Sequence, residues 1–300
     1  MLAFYCLRII LYQNLQIITR FYSGKIVLVM RRKFTHSILL WLFSYSLLFG
    51  AFERKGAGVA FLAGGGSGIT YPEITFALFN NPALIGADSA RCVNAFFRNF
   101  YQIPGLNQYN LHTEFHLWKF PLAVGLQRYG NNLYAETEIR TGMSYSFSEK
   151  LLIGISLNLY ALHIERYLDC QTFSFDLGLS YNLSDEISVG AVAANLTEPK
   201  ISPAQERLPG NFALGLSYTP LNTMSILMDI VKEDKFDFDY RFGIHYRVNE
   251  WLTIRSGLRE TTNLLTAGLS LEIKKFKCGY ALEYHPKLNL CHGFEIQYLF

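Results

Sequence analysis

The chain has 300 residues, of which 17% are charged and 15% aromatic, and its formal net charge is +3. Half of the residues are hydrophobic and glycine and proline occur at ordinary levels, which excludes disordered and collagen-like chains. The sequence has no basic block of the kind that coats nucleic acid, so nucleic acid is not expected as a partner. The mean hydropathy of +0.15 is too low for a helical membrane protein.

The N-terminal region predicts a targeting segment. Residues 1–29 show no clear period, whereas Met30 is followed by three basic residues and then by the apolar run from Ser37 to Ala51. A positive stretch before a short apolar stretch is typical of a secretory signal peptide, since a membrane span needs about 20 apolar residues. We therefore predict that residues 1–29 are an over-extended start and that residues 30–51 are the signal peptide. An uncleaved anchor helix is the alternative.

Residues 52–90 are irregular in pattern and rich in glycine. The run from Gly64 to Gly68 lacks the spacing of both the dinucleotide-binding and the phosphate-binding glycine motifs. Because glycine lets the backbone approach other groups closely, we expect this segment to pack tightly against another part of the chain.

From residue 91 to residue 300 the hydropathy alternates with a period of two. Between Gln171 and Ser184, for example, apolar side chains on one face alternate with polar or small residues on the other. Fourteen such segments can be placed, and short connections alternate with longer ones. This pattern is typical of outer-membrane barrels. The sequence therefore predicts an all-β protein, a transmembrane antiparallel β-barrel of about fourteen strands over residues 91–300, in the bacterial outer membrane.

The polar face of these segments supplies the candidate lumen-facing residues. They are charged residues on the inward parity of their strands, namely Glu136, Glu138, Arg140, Asp237, Asp239, Arg241, Arg255 and Glu283. Such charges either pair with one another and with the glycine-rich segment, or form a polar surface for permeation or docking. The small inward residues of a repeated Gly-aliphatic-Ser pattern, such as Gly154-Ile155-Ser156, are expected to leave room in the lumen.

No arrangement of residues predicts catalysis, a metal site or a cofactor. His112 and His116 share one face of a strand, but residues four apart on a strand are about 13 Å apart. One metal ion with bonds of about 2 Å cannot join both. The nucleophile motif G-x-S-x-G is absent from the sequence. Cys278 and Cys291 fall on opposite strand parities, so we do not expect a disulfide between them.

The order of several short motifs resembles that of the PorV/PorQ proteins, within the larger FadL-like superfamily of outer-membrane transport proteins. Four of these motifs, in chain order, are Asn81-Pro82-Ala83, Arg207-Leu208-Pro209, Ile254-Arg255-Ser256-Gly257 and Ala267-Gly268-Leu269-Ser270. The resemblance covers residues 52–300 and implies a barrel whose N-terminal segment, residues 52–90, lies in the lumen as a hatch. It also makes Asn81, Pro82 and Ala83 the hatch motif. Leu84 departs from the family, which has glycine there, and so does His245, where members often have glutamate.

The resemblance implies a non-enzymatic barrel that is accessory to protein secretion or surface attachment in a type IX-like system. Its rim would bind a secretion-system or cargo protein. A FadL-like channel for hydrophobic small molecules is the alternative, and a barrel-embedded lipid-modifying enzyme is a third interpretation. The expected partners are outer-membrane lipid, secretion-system or cargo proteins and, for the alternative, a hydrophobic ligand, without a cofactor.

Overall fold

The computed structural model describes residues 52–87, 91–201, 207–234 and 236–300. The predicted over-extended start, residues 1–29, and the predicted signal peptide, residues 30–51, lie outside the described residues, as do residues 88–90 at the end of the predicted hatch. No helix in the described part of the chain is long and apolar enough to cross a membrane.

Fourteen antiparallel strands form one closed barrel, in which β1 pairs with β14. In chain order the strands are β1 Cys92–Asn99, β2 Asn107–Leu117, β3 Phe120–Gly130, β4 Tyr134–Ser146, β5 Leu151–Ile164, β6 Leu168–Asn182, β7 Ile187–Ala194, β8 Asn211–Leu221, β9 Met224–Glu233, β10 Asp239–Asn249, β11 Leu252–Arg259, β12 Leu264–Ile273, β13 Phe276–His285 and β14 Asn289–Leu299. The predicted fourteen-stranded antiparallel barrel is confirmed, with strand ends that differ from the predicted ones by a few residues.

The wall is apolar outside and polar or small inside. On β10, the outward side chains of Tyr240, Phe242 and Ile244 are between 38% and 47% exposed, whereas Arg241 and His245, on the alternate positions, are buried. A slip of one residue in strand register would turn this apolar row into the lumen, so the alternation fixes the register. The two faces also separate the cysteines: Cys278 is exposed, Cys291 is buried and both thiols are free.

The two ends of the barrel differ in the length of their connections. At one end, the short-turn end, the turns have two or four residues, and β1 begins and β14 ends there. At the other, the long-loop end, the connections range from three to sixteen residues, and residues 195–210 form the longest. Exposed aromatic side chains ring the short-turn end, including Trp118, Phe147 and Trp251.

Residues 52–87, which we call the plug, lie inside this wall. The plug contains the short helices α1 (Val59–Ala63) and α2 (Ala77–Asn80) and one 3₁₀ turn (Pro82–Leu84). Its side chains and backbone contact inward-facing residues of strands all round the ring, from β3 through β14. Only a segment in the lumen can make such contacts with a closed wall.

The plug crosses the lumen from one end to the other. Phe52 lies at the long-loop end, where its ring centroid is 5.0 Å from that of Tyr160 near the end of β5. Ile85 lies at the short-turn end, where its carbonyl accepts a hydrogen bond of 2.6 Å from Ser144 near the end of β4. The plug therefore spans the length of the lumen.

Candidate functional site

Glycine residues of the inner wall bring the backbone of the plug very close to the strands. A Cβ added to Gly154 of β5 would lie 2.2 Å from the carbonyl atoms of Pro82. One added to Gly257 of β11 would lie 2.3 Å from the carbonyl carbon of Gly64. Both contacts are with backbone, which cannot move aside as a flexible side chain can. The small inward residues were expected to leave room in the lumen, and the plug occupies that room.

The Asn81-Pro82-Ala83 motif forms a turn that ties the plug to β6. The Asn81 Oδ1 accepts a hydrogen bond of 3.0 Å from the Ala83 N–H and so caps the 3₁₀ turn. Asparagine before proline suits this position, because the amide caps the turn and proline lacks the N–H that would be unpaired. The Asn81 Nδ2 donates to the carbonyls of Ile69, at 2.7 Å, and Leu179, at 3.2 Å. One buried side chain therefore joins two parts of the plug and the wall.

Polar side chains of the wall hold the plug backbone at further points. One carboxylate oxygen of Asp229 on β9 accepts from the N–H groups of Gly68, at 2.8 Å, and Ile69, at 3.2 Å. Other wall-to-plug bonds join Gln108 to Gly56, Glu295 to Val59, Thr266 to Ala63, Asn94 to Thr75 and Glu114 to Gly86. Buried N–H and C=O groups of an irregular segment need partners, and here the wall supplies them.

The predicted lumen-facing charges near the long-loop end pair with one another and with the plug. The Arg140 guanidinium donates to Glu138 at 2.8 Å and to Asp176 at 3.0 Å. Glu136 forms an ion pair of 2.7 Å with Lys55 of the plug. All of these side chains except Lys55 are buried in full. The first of the two interpretations, mutual pairing, describes this cluster.

Two further clusters of predicted charged residues also pair with one another or with the plug. Glu283 of β13 accepts two hydrogen bonds from Arg98 of β1, at 2.8 and 2.9 Å. Asp239 pairs with Arg241 at 2.7 Å and with Arg259 at 2.6 Å, and Arg241 also donates to the carbonyl of Gly66 in the plug. The Arg98–Glu283 pair joins strands that are not adjacent, the Asp239–Arg259 pair joins the neighbouring strands β10 and β11, and Arg241 links the wall to the plug.

Two predicted residues differ from this pattern. Asp237 is exposed, and the prediction that it faces the lumen is wrong, because β10 begins only at Asp239 and residues 236–238 belong to the loop before it. Arg255 is buried as predicted, but its hydrogen bond goes to Ser270 at 2.6 Å and not to a carboxylate.

An apolar cluster, which we call the cap, covers part of the plug at the long-loop end. Ile201 and Leu208, from the connection between β7 and β8, pack with Phe52 and Tyr160 in one buried cluster. The Tyr160 hydroxyl and the Asn195 Oδ1 are 2.5 Å apart, which fixes the start of this connection to the wall. The cavity beside the cap measures about 10 Å³, which is room for a single water molecule at most.

The short-turn end holds an open polar cavity of about 500 Å³, which we call the vestibule. Its lining is dominated by hydroxyl and amide side chains, among them Asn182, Ser217, Ser225 and Thr253. His245 lies in this lining, with its ring centroid 4.8 Å from that of Tyr71 in the plug. The vestibule therefore gives water and polar solutes access to the plug.

Glu73 is a charged residue through which the plug contributes to the lining of the vestibule. It forms an ion pair with Arg247 and accepts a hydrogen bond of 2.9 Å from the Tyr71 hydroxyl. Burial and the charge of Glu73 raise the pKa of Tyr71, so this hydroxyl stays protonated and donates. Burial alone would raise the pKa of Glu73, but the hydrogen bond and charge of Arg247 outweigh it and hold that pKa below its ordinary value of 4.5.

Several buried carboxylates of the site, among them Asp229 and Asp176, were not among the predicted residues. Asp229 anchors the plug, and Asp176 binds both Arg140 and, at 2.9 Å, the N–H of Asn195. Each lies on the inward parity of a predicted strand, so the alternation contained the signal that could have found them.

No protein-family model and no curated protein matches the sequence. Solved structures do match. The Ralstonia pickettii toluene transporter TbuX is 14% identical with a TM-score of 0.63, and the alignment covers 83% of this chain and 100% of TbuX. The monoaromatic hydrocarbon channel CymD is 14% identical with a TM-score of 0.65, over 83% of this chain and 99% of CymD. A Pseudomonas aeruginosa FadL homologue is 10% identical with a TM-score of 0.58, over 81% and 98%.

These three matches establish a shared fold. At such low identities they say nothing of which solute or partner this chain binds.

Proposed function

We propose that this protein is a bacterial outer-membrane channel that admits small hydrophobic molecules past its plug. The observation that carries the proposal is the fold, which is shared with proteins described as a toluene transporter, a monoaromatic hydrocarbon channel and a FadL homologue. The short-turn end would face the periplasm and the long-loop end the exterior, since outer-membrane barrels have short periplasmic turns. In this proposal the protein acts by binding and passage, not by catalysis.

An aromatic cluster between plug and wall supports this function. Phe76 of the plug packs with Phe79 and with Phe96 of β1, at ring-centroid distances of 6.2 and 5.9 Å. Leu62 and Leu78 of the plug complete the same buried cluster. Most of the lumen wall is polar or small, so this cluster offers the large apolar surface on which a hydrocarbon can gain dispersion contacts. Both ends of the plug are held in the described conformation, so passage requires the plug to shift.

Uptake of radiolabelled toluene by a Gram-negative host that expresses the full chain tests the proposal. We expect toluene uptake above that of cells with an empty vector, and unchanged uptake of a sugar. Phe76→Asp places a charge in the aromatic cluster and should lower toluene uptake toward the vector level. Phe173→Ser, at an outward position that is 55% exposed, is the matched control.

Heat-modifiable migration on gels verifies that each of these variants forms a barrel. Toluene uptake equal to that of the vector, from a correctly folded native barrel, would refute the proposal.

A second candidate is an accessory role in protein secretion or surface attachment, of the PorV/PorQ type. The observation that favours it is the packed lumen: beside the plug, two cavities measure about 10 and 30 Å³. A barrel in that state can act through docking at its rim. Purification in mild detergent with mass spectrometry of bound proteins tests this role, and capture of secretion components without toluene uptake would favour it over the channel.

A further inference from the structure

Arg255 of β11 holds a buried charge that the rest of the described chain satisfies only in part. The residue is 4% exposed. Its Nη1 donates to the Ser270 Oγ, whereas Nε and Nη2 have no hydrogen-bond partner among the residues that the structure describes. None of the ion pairs within that part of the chain includes Arg255.

The carboxylates that interact electrostatically with Arg255 are engaged elsewhere. These are Glu73, which pairs with Arg247, Glu272, which pairs with Lys277 at 2.9 Å, and Glu295, which accepts from the Val59 N–H. A buried cation is costly unless a counter-charge or hydrogen bonds stabilise it. The fold therefore retains a guanidinium whose remaining donors are suited to an anion from outside the chain.

The strand register places Arg255 beside residues that line the vestibule. Arg255 lies opposite His245 on β10, and Ser270, which binds Nη1, lies opposite Thr253 on β11. His245 and Thr253 both line the vestibule. Because the Arg255 side chain reaches toward Ser270, it leans to the short-turn end, in the direction of the vestibule.

The identity of the two nitrogens indicates the ligand. Nε and Nη2 form one edge of the planar guanidinium, and their parallel N–H bonds match the two oxygens of a carboxylate. We propose that this edge of Arg255 binds the carboxylate of a small, water-soluble molecule that enters through the vestibule. The site is separate from the aromatic cluster, and the proposal does not depend on hydrocarbon transport.

Sodium acetate is the probe for this site. Saturation-transfer NMR on the full chain in detergent micelles, at constant ionic strength, should show saturable acetate binding. Arg255→Gln should abolish the signal, and Arg255→Lys, which keeps the charge but lacks the two-donor edge, should weaken the affinity by about tenfold or more. The matched control is Arg259→Gln, since Arg259 is a lumen arginine that pairs with Asp239, and its acetate affinity should equal that of the native chain.

Absence of saturable binding to the native chain, or equal affinity in Arg255→Gln, would overturn the proposal. Gel migration shows whether Arg255→Gln forms a barrel. If it does not, Arg255→Lys and Arg259→Lys decide the matter: an affinity loss confined to Arg255→Lys supports the site, and equal affinities in the two variants refute it.

Discussion

The two ends of the lumen differ in their chemistry. At the long-loop end, Ile201 and Leu208 bury apolar side chains against Phe52, and the cavity lined by Phe52 and Tyr160 measures only about 10 Å³. At the short-turn end, a polar cavity of about 500 Å³ extends up to Glu73 of the plug. Connection length explains the difference, because a sixteen-residue connection can fold back over the mouth, whereas turns of two or four residues cannot.

This asymmetry means that the same plug is dry at one end and wet at the other. Its contacts near the long-loop end are apolar packing and buried ion pairs, which resist water. Its contacts near the short-turn end include the half-exposed pair of Glu73 and Arg247, which responds to the solution. Local stability within the plug should therefore differ between its ends.

The largest effect is expected for Gly154→Leu, which should remove the difference between the two ends of the lumen. The added side chain would meet the Pro82 backbone, at 2.2 Å for the Cβ alone, so the plug must leave its place and open both ends. Planar-bilayer recordings should then show steady ion conductance that the native chain lacks. Leu157→Phe, which adds bulk on the outer face of the same strand, should not conduct. A silent Gly154→Leu barrel would contradict the close packing described above.

Leu208→Ala should open the long-loop end alone. Leu208 is 0% exposed, and truncation of a buried leucine costs about 2–5 kcal/mol. In a chain whose native cysteines are replaced by serine, a cysteine introduced at Ala57 of the plug should then react with a maleimide added from outside, while it stays protected when Leu208 is intact. Leu288→Ala, at an exposed position in another loop of the same end, serves as the control. Equal labelling in all variants would mean that the cap does not seal the mouth.

Asp229→Ala should loosen the middle of the plug. It removes the acceptor of two plug N–H groups, and a hydrogen bond contributes about 0.5–1.5 kcal/mol. Hydrogen exchange of the Gly68 and Ile69 amides should become faster. Asp169→Ala, whose side chain is 81% exposed, should leave those amides unchanged.

The smallest effect is a pH dependence at the wet end. The pKa of Glu73 is lower in the folded protein than its ordinary value of 4.5, so its stabilising contribution is present above pH 4.5 and is lost as the pH falls below it. Protection of the amides around Glu73, corrected for intrinsic exchange, should fall in that range. Arg247→Gln should remove most of this pH dependence. If the native chain shows no such pH dependence, the ion pair of Glu73 and Arg247 does not hold the plug.

The wall could be predicted from the sequence because each barrel strand alternates apolar outward residues with polar or small inward ones. An apolar outer face and a polar or small inner face impose a period of two, as in β10, and this signal is local. The same parity identified seven buried charges. It failed at Asp237, where the apolar and polar alternation continues through residues 236–238 although strand pairing has not yet begun.

The contacts of the plug could not be predicted in the same way. The sequence shows that Gly154 and Gly178 are small and inward, but the partner of Gly154 is Pro82, 72 positions earlier in the chain. Which glycine meets which part of the plug depends on the path of a segment without periodicity. The vestibule and the cap are likewise set by where loops fold in three dimensions, and loop composition does not encode that path.

The course of the plug also restricts the order in which this molecule can assemble. Phe52 lies at one mouth and Ile85 at the other, and the ring around them is sealed by the pairing of β1 with β14. If that seam formed first, the plug would have to thread through a ring whose glycines leave no clearance. Closure of the seam around a plug already in place avoids this obstacle. Pairing of β1 with β14 joins nearly opposite ends of the barrel sequence, which is the slowest kind of contact to form. We therefore expect seam closure to be the last and rate-limiting step of assembly, after which the closed wall encloses the plug.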